Sequence, residues 1–297
     1  MRKTLSVICA LTLMLSFSNL AFASNGLDAK TEVAYIDGNV LDLSRAEEVK
    51  AEDFNQGLVS KVQQTDYVPY VDENGKWSCN DEIVDAIGEY CESHYDPESG
   101  AIYEEAFKQT DSDNIGIEID EEAPQYKEKV QKYSINENVS VTITPDEVYI
   151  DEYVETPVVK MAASGAKASW KYKNVATRRT LIKKATFKGK TYSFKIYSVH
   201  TGGEVKYNGS KAKHSAAYYA YNLQEAYGSP FTFKQVAKQS EQISGTSWHY
   251  KYLGKVTGSI SITTPIKLKI TFKEKALGCQ AITNKNGKVT KNYWPSL

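Results

Sequence analysis

From residue 256 to 272 the even positions are mainly apolar: Val256, Gly258, Ile260, Ile262, Thr264, Ile266, Leu268, Ile270 and Phe272. The odd positions from Lys255 to Lys273 are lysines, serines, threonines and Pro265. A period of two sends alternate side chains to opposite faces of a strand. The stretch therefore predicts one long amphipathic strand, or two interrupted near Pro265, where the ladder loses a donor.

The same period recurs upstream. Val139, Val141 and Ile143 form one run, and Val148, Ile150 and Val154 form the next. Thr144-Pro145-Asp146-Glu147 between them suits a type I turn, so the pair reads as a β-hairpin. Trp170 and Tyr172 alternate with Lys171 and Lys173. Ala185 and Phe187 lead to Lys188-Gly189-Lys190, after which Tyr192, Phe194 and Ile196 continue in the opposite phase, as a short hairpin loop requires.

Elsewhere the spacing is helical. Asn80 is placed to cap a helix with Asp81 and Glu82 in its first turn and Ile83, Ile87 and Cys91 along one face. A second helix is expected over Ala101–Lys108, carrying Ile102, Tyr103, Ala106 and Phe107. A third is expected to start near Pro124, with Tyr126, Val130 and Tyr133 on one side. Ser215–Tyr227 has Ala216, Tyr219, Ala220, Leu223 and Tyr227 on a stripe, with Gly228 and Pro230 as stop signals. Residues 24–76 show no sustained period and are expected to be extended or partly disordered, with a turn at Asp72–Gly75.

These elements predict an α+β chain. An acidic N-terminal region with a few short helices and a β-hairpin precedes a mainly antiparallel β domain, sandwich or barrel-like, with one helix. The expected divisions are a signal peptide at 1–23, the acidic region at 24–156, a linker at 157–169 and the basic β-rich domain at 170–297. The linker contains MAASGAKA (Met161 to Ala168), a small-residue stretch open to proteases.

The first residues bear on compartment. Arg2 and Lys3 precede an apolar run from Leu5 to Phe17, and Ala21-Phe22-Ala23 is a small-x-small cleavage signature. The run falls short of the roughly 18 residues that span a bilayer as a helix. This is the pattern of a secretory signal peptide cut between Ala23 and Ser24. The expected location is secreted, either extracellular or associated with the cell envelope.

Charge changes the picture most. The formal net charge is -1. Yet residues 24–156 hold 33 acids against 9 Lys/Arg, whereas residues 157–297 hold 4 acids (Glu204, Glu225, Glu241, Glu274) against 25 Lys/Arg. Segregation of this kind implies contact between the acidic and basic halves, an anionic partner, or both. Lys267, Lys269 and Lys273 fall on one face of the alternating stretch, and Lys183, Lys184, Lys188, Lys190 and Lys195 belong to the preceding hairpin. Together they are the candidate anion-binding surface. Outside a cell the partners of matching charge are anionic wall polymers and anionic membrane surfaces. No nucleic-acid motif is present, and nothing in the sequence specifies an oligomeric state.

The leading expectation is a secreted, non-enzymatic protein whose basic β domain binds such a surface and is masked by the acidic half. A second is an antibacterial or pore-forming toxin precursor with 24–156 as pro-region, since the 256–273 alternation also suits a membrane hairpin. A third is a Cys/His hydrolase built from Cys279 with His200, His214 or His249. No local signature surrounds Cys279, and the basic half is poor in carboxylates to orient a histidine. Asp111–Glu122 resembles the start of a calcium loop, but Ile115 stands where an oxygen ligand belongs. No metal or cofactor is expected. A helix between Cys79 and Cys91 sets their ends too far apart for a bridge unless it is short, which leaves either one of them paired with Cys279 or all three as free thiols, the leading expectation for a cysteine-poor chain.

Overall fold

The computed structural model describes residues 33–36, 39–42, 50–72, 75–110, 117–119, 123–159, 170–187, 189–215, 221–226, 231–262 and 268–297. They are mostly antiparallel β-sheet with a few short helices. A small sheet contains β1 (Val33–Ile36), β2 (Asn39–Asp42) and β3 (Ile117–Ile119), in the order β2-β1-β3. The helices are α1 (Ala51–Gln63), α2 (Asp81–Ser93), α3 (Pro97–Thr110) and α4 (Pro124–Glu128).

Two larger sheets carry the fold, and both are open. The first has seven strands: β4 (Gln131–Ser134), β5 (Val139–Ile143), β6 (Glu147–Val158), β7 (Lys171–Phe187), β8 (Lys190–Tyr207), β9 (Ala212–His214) and β10 (Tyr221–Ala226). Its order is β10-β8-β7-β6-β5-β4, with β9 on β8. The second sheet runs β11 (Thr232–Ile243), β12 (Ser247–Ile262), β13 (Leu268–Thr283) and β14 (Val289–Trp294) in sequence order. The long alternating stretch is thus two paired strands, β12 and β13, and residues 263–267 lie outside the described residues.

The sequence pattern explains the layering. Even positions of β6, Val148 and Ile150, join Val139, Val141, Ile143 and Ile182 against α1 and α2. The helices contribute Phe54, Leu58, Val62, Ile83, Ile87 and Cys91, spaced four apart along each helix. Odd positions on the other face, Tyr149 and Leu181, meet Tyr252, Val256, Leu277 and Cys279 of the four-stranded sheet. The seven-stranded sheet is therefore the middle layer between helices and a second sheet. Each fully buried Leu or Ile contributes about 1.5–3 kcal/mol relative to exposure.

Three expectations are corrected. Residues 51–63, expected to be extended, form α1, because Phe54, Leu58 and Val62 repeat at four-residue spacing with Glu52 and Asp53 in the first turn. Within the helix expected at 215–227, residues 221–226 form strand β10 instead, pairing with β8 from Tyr221↔Gly202 to Ala226↔Tyr197, while 216–220 and 227 lie outside the described residues. Sheet pairing there overrides local propensity. Tyr133, expected on the third helix, lies on β4, since that helix ends at Glu128. Of the expected linker, Pro157 and Val158 extend β6, and 160–169 lie outside the described residues, as do the signal region and the Asp111–Gly116 part of the calcium-like loop. Gly189, at φ 72, turns the chain between β7 and β8, a backbone geometry that glycine adopts without steric cost.

Candidate functional site

The charge reversal near residue 157 has a geometric counterpart. Strand β6 lies before it and β7 after it, and they pair antiparallel along twelve positions. The register sets Glu147 opposite Lys183, Asp151 opposite Arg179 and Glu152 opposite Arg178. Directly opposed unlike charges stabilise a strand pair. Because Glu147 and Asp151 share one face and Glu152 takes the other, a one-residue slip would send every carboxylate to the wrong side.

On the helix side, Arg178 presents Nε and Nη2 to the two oxygens of Glu152 at 2.6 and 2.5 Å. The same carboxylate accepts from the Tyr67 hydroxyl at 2.9 Å and from Asn80 Nδ2 at 3.1 Å. Arg178 also donates to the Ser78 carbonyl at 2.9 Å and lies 4.6 Å from the Trp77 ring centre. Asn80 does not cap α2 as expected. Its amide serves Glu152 and Thr180, and its Oδ1 accepts from Lys195 at 2.9 Å.

Facing the four-stranded sheet, Glu147 accepts from Lys183 at 3.3 Å, from Tyr149 at 2.7 Å and from Lys275. Lys275 lies on the buried face of β13 with Leu277, Cys279 and Ala281, just past an irregularity at which Phe272 pairs with Gly258 but Lys275 pairs with Val256. Burial pushes the Glu147 carboxyl up, but Lys183 and Lys275 overcome it and hold the group down at about 2. Lys183 also binds Asp146, and Lys184, fully buried, binds Asp96 at 2.5 Å. Lys173 binds Glu155.

Of the candidate lysines, those with described side chains differ in burial. Lys183 and Lys184 are buried and ion-paired. Lys195 bonds Asn80 and, at 3.2 Å, Asp81. Lys190 is exposed, 5.2 Å from the Tyr192 ring centre. Lys269 pairs with Ser261, and Lys273 sits at the β13 irregularity; neither side chain is among those described. Lys188 and Lys267 lie outside the described residues. What sequence reasoning missed was the pairing itself, although its signal was present: the acid spacing in 147–152 mirrors the base spacing in 178–183.

A cleft of about 490 Å³ opens beside this seam, where β14 approaches β4, β5 and β6. Lys132, Ser134, Ser140, Asp151, Tyr153, Lys291 and Tyr293 line it. Asp151 is buried at 2% exposure. Arg179 Nε lies 2.9 Å from its Oδ1 and Lys132 Nζ 3.8 Å from its Oδ2, yet neither oxygen accepts a hydrogen bond of good geometry. Burial raises the Asp151 carboxyl against the opposing pull of Arg179 and Lys132. Arg179 itself lies 4.4 Å from the Tyr149 ring centre and 5.7 Å from that of Tyr293, and donates to the Pro295 carbonyl at 2.6 Å. Lys291 lies 4.5 Å from the Tyr153 ring centre.

The Cys/His arrangement does not assemble. Cys279 Sγ lies 3.3 Å from the Thr177 carbonyl and 3.6 Å from that of Val199. Its thiol is pushed up to about 12 by burial, which removes the thiolate needed for attack. His200 lies tilted over Trp77 with the ring centres 5.9 Å apart, His214 Nδ1 lies 2.7 Å from the Tyr250 hydroxyl, and His249 Nδ1 lies 2.6 Å from Gln280 Nε2. Cys79, Cys91 and Cys279 are all free thiols. Among the described residues no group of three or more His, Cys, Asp or Glu side chains is placed to hold a metal, and no helix is long and apolar enough to cross a membrane. Comparison with protein-family models, curated proteins and solved structures returns no match to this chain.

Proposed function

We propose that the chain is a secreted, non-enzymatic protein whose basic part binds an anionic cell-wall polymer or anionic membrane surface. The observation that carries this reading is the set of lysines left facing solvent once the buried cations have found their carboxylates. Lys234, Lys238, Lys255, Lys285, Lys288 and Lys291 are exposed on the four-stranded sheet and its last turn. From residue 231 to the end the only acids are Glu241 and Glu274. The acidic half then acts less as a cover for the whole basic surface than as a neutralising partner for the middle sheet. Arg178, Arg179 and Lys183 could not remain buried without it. Self-repulsion among the exposed lysines opposes folding, and an anionic surface relieves it.

The test uses the full chain from Ser24. Its co-sedimentation with vesicles containing anionic lipid, with neutral vesicles and with insoluble wall polymer is measured across a salt series. Retention on anionic material that falls as salt rises supports the reading. Equal retention on neutral and anionic vesicles, with none on wall polymer, removes it.

A further inference from the structure

We propose that the side chains of Lys183 and Asp146 condense in the folded chain to an amide, Lys183 Nζ to Asp146 Cγ, with Glu147 relaying a proton and one water released. The cross-link joins the acidic half to the basic half covalently, and it is independent of anion binding.

An amine, a carboxyl group and a second carboxylate meet there out of solvent. The side chains of Lys183, Asp146 and Glu147 are 5%, 0% and 1% exposed. Lys183 Nζ contacts Asp146 Oδ2 and lies 3.3 Å from Glu147 Oε1. The backbone fixes this meeting. Glu147 is opposite Lys183 in the β6–β7 register, and the Lys184 N–H donates to the Asp146 carbonyl at 2.8 Å. Reacting groups held in contact behave as if at concentrations of about 10⁵ M or more. In water the charged pair is favoured over the amide because both ions are hydrated, and a dry site withdraws that hydration. Tyr103, 2% exposed, helps to close the site: its hydroxyl is raised by burial and feels the charges of Lys183, Asp146 and Glu147.

The step balances without any further reagent. Lys183 Nζ passes a proton to Asp146 Oδ2, leaving an amine beside a carboxylic acid. Nζ then bonds to Cγ, and the carbonyl electron pair moves onto Oδ1, which accepts a hydrogen bond from the Tyr126 hydroxyl. A donor aimed at the oxygen that gains charge lowers the barrier. Glu147 takes the second proton from the nitrogen and delivers it to the departing hydroxyl. The Cγ–Oδ2 bond breaks, water leaves, and Glu147 returns to a carboxylate. Nothing is oxidised or reduced. When Lys183 gives up its charge, one of the two lysines that hold Glu147 ionised is gone, and the carboxylate becomes a better base. The product leaves Glu147 paired with Lys275, so no buried charge is orphaned.

Lys184 and Asp96 are equally buried but differently equipped. Asp96 Oδ1 accepts from the N–H groups of Glu98 and Ser99 at the start of α3, which favours the anion and disfavours attack on its carbon. Among the described residues no second carboxylate pairs with Lys184 to carry the proton.

The experiment is mass spectrometry of the full chain from Ser24, denatured and reduced, followed by a tryptic map. The intact mass is expected to fall below that of the sequence by one water. The map is expected to contain residues 133–160 joined to residues 180–184, because trypsin does not cut after an acylated lysine. Lys183→Arg keeps the cation and is expected at full sequence mass with no joined peptide. Glu147→Gln is expected to lose the joined peptide, or to accumulate it about 10²-fold more slowly after synthesis. Thermal melting establishes that each variant is folded. A wild-type chain at full sequence mass, with 133–160 and 180–183 as separate peptides, overturns the cross-link whether or not either variant folds. Water lost within a single peptide overturns it as well. A joined peptide formed at the wild-type rate in Glu147→Gln overturns the proton relay.

Discussion

Replacing Glu152 by Gln removes one charge from the most heavily bonded ion pair in the middle sheet. Four donors converge on this carboxylate, which is fully buried, and Arg178 opposite it is only 5% exposed. The variant keeps the side-chain shape but leaves a buried guanidinium held by the Ser78 carbonyl, the Tyr67 hydroxyl and the Trp77 face. Breaking a buried pair by removing one partner costs about 3–5 kcal/mol. A folded chain of this kind has a total stability of about 5–15 kcal/mol. The loss is therefore a large fraction of the whole, corresponding to a fall in Tm of roughly 6–20 °C at about 2–4 °C per kcal/mol. The assay is thermal and urea unfolding of wild type, Glu152→Gln, Arg178→Met and the double variant Glu152→Gln/Arg178→Met. The double variant is expected to lose much less than the sum of the singles, because both charges leave together. A single variant within about 1 kcal/mol of wild type, or strictly additive losses, would refute a dehydrated pair at the centre of the sheet.

Protonation should destabilise the fold in a defined window. Burial, helped by Arg178, lowers His200 from 6.5 to about 3, so the unfolded chain takes up a proton there that the folded chain refuses. Stability is then full above 6.5 and falls as pH drops toward 3, by up to about 1.4 kcal/mol per pH unit for this group. Since burial also lowers His214 and His249, the measured slope exceeds that of one group, and His200→Gln should reduce it by about that amount between pH 6 and 5 in urea titrations. Thiol labelling of the folded chain from Ser24 should modify Cys79 alone. Burial pushes both Cys91 and Cys279 up to about 12, so rapid modification of either would contradict their burial. Cutting the chain at a protease site inserted between residues 160 and 169 should leave the two pieces co-eluting in gel filtration at neutral pH, because β6 stays paired with β7; separation without denaturant would instead support a releasable pro-region.

Much of the β architecture was legible from alternating apolar and polar positions, even in β5 and β6, which are buried on both faces, with β6 placing its ionised side chains in pairs. The 139–154 hairpin, the turn at Gly189 and the alternation of 256–272 all follow from a period of two. α2 was legible from Ile83, Ile87 and Cys91. β10 was not, because Ala and Tyr at spacings of three and four fit a helix when the partner strand β8 is unknown. α1 was hidden by its acidic surroundings, which suggested an unfolded stretch although Phe54, Leu58 and Val62 already marked a face. The lysines illustrate the limit most clearly. Lys183 and Lys184 look in sequence like Lys188 and Lys190, members of one basic hairpin. Lys190 is exposed, whereas Lys183 and Lys184 lie beneath neighbouring elements and meet Asp146 and Asp96, which come from far earlier in the chain. The cleft was invisible for the same reason: Asp151 and Lys291 are brought together by the packing of two sheets, and no local spacing records it.

The most direct test of polyanion binding is the affinity of the intact chain from Ser24 for an anionic wall polymer, measured by calorimetry at several salt concentrations. Affinity that falls steeply with added salt, and falls further when Lys234, Lys238, Lys255, Lys285 and Lys288 are changed together to Gln, is expected for binding driven by exposed lysines. Absence of binding at low salt, or an affinity indifferent to both salt and these five substitutions, would contradict it.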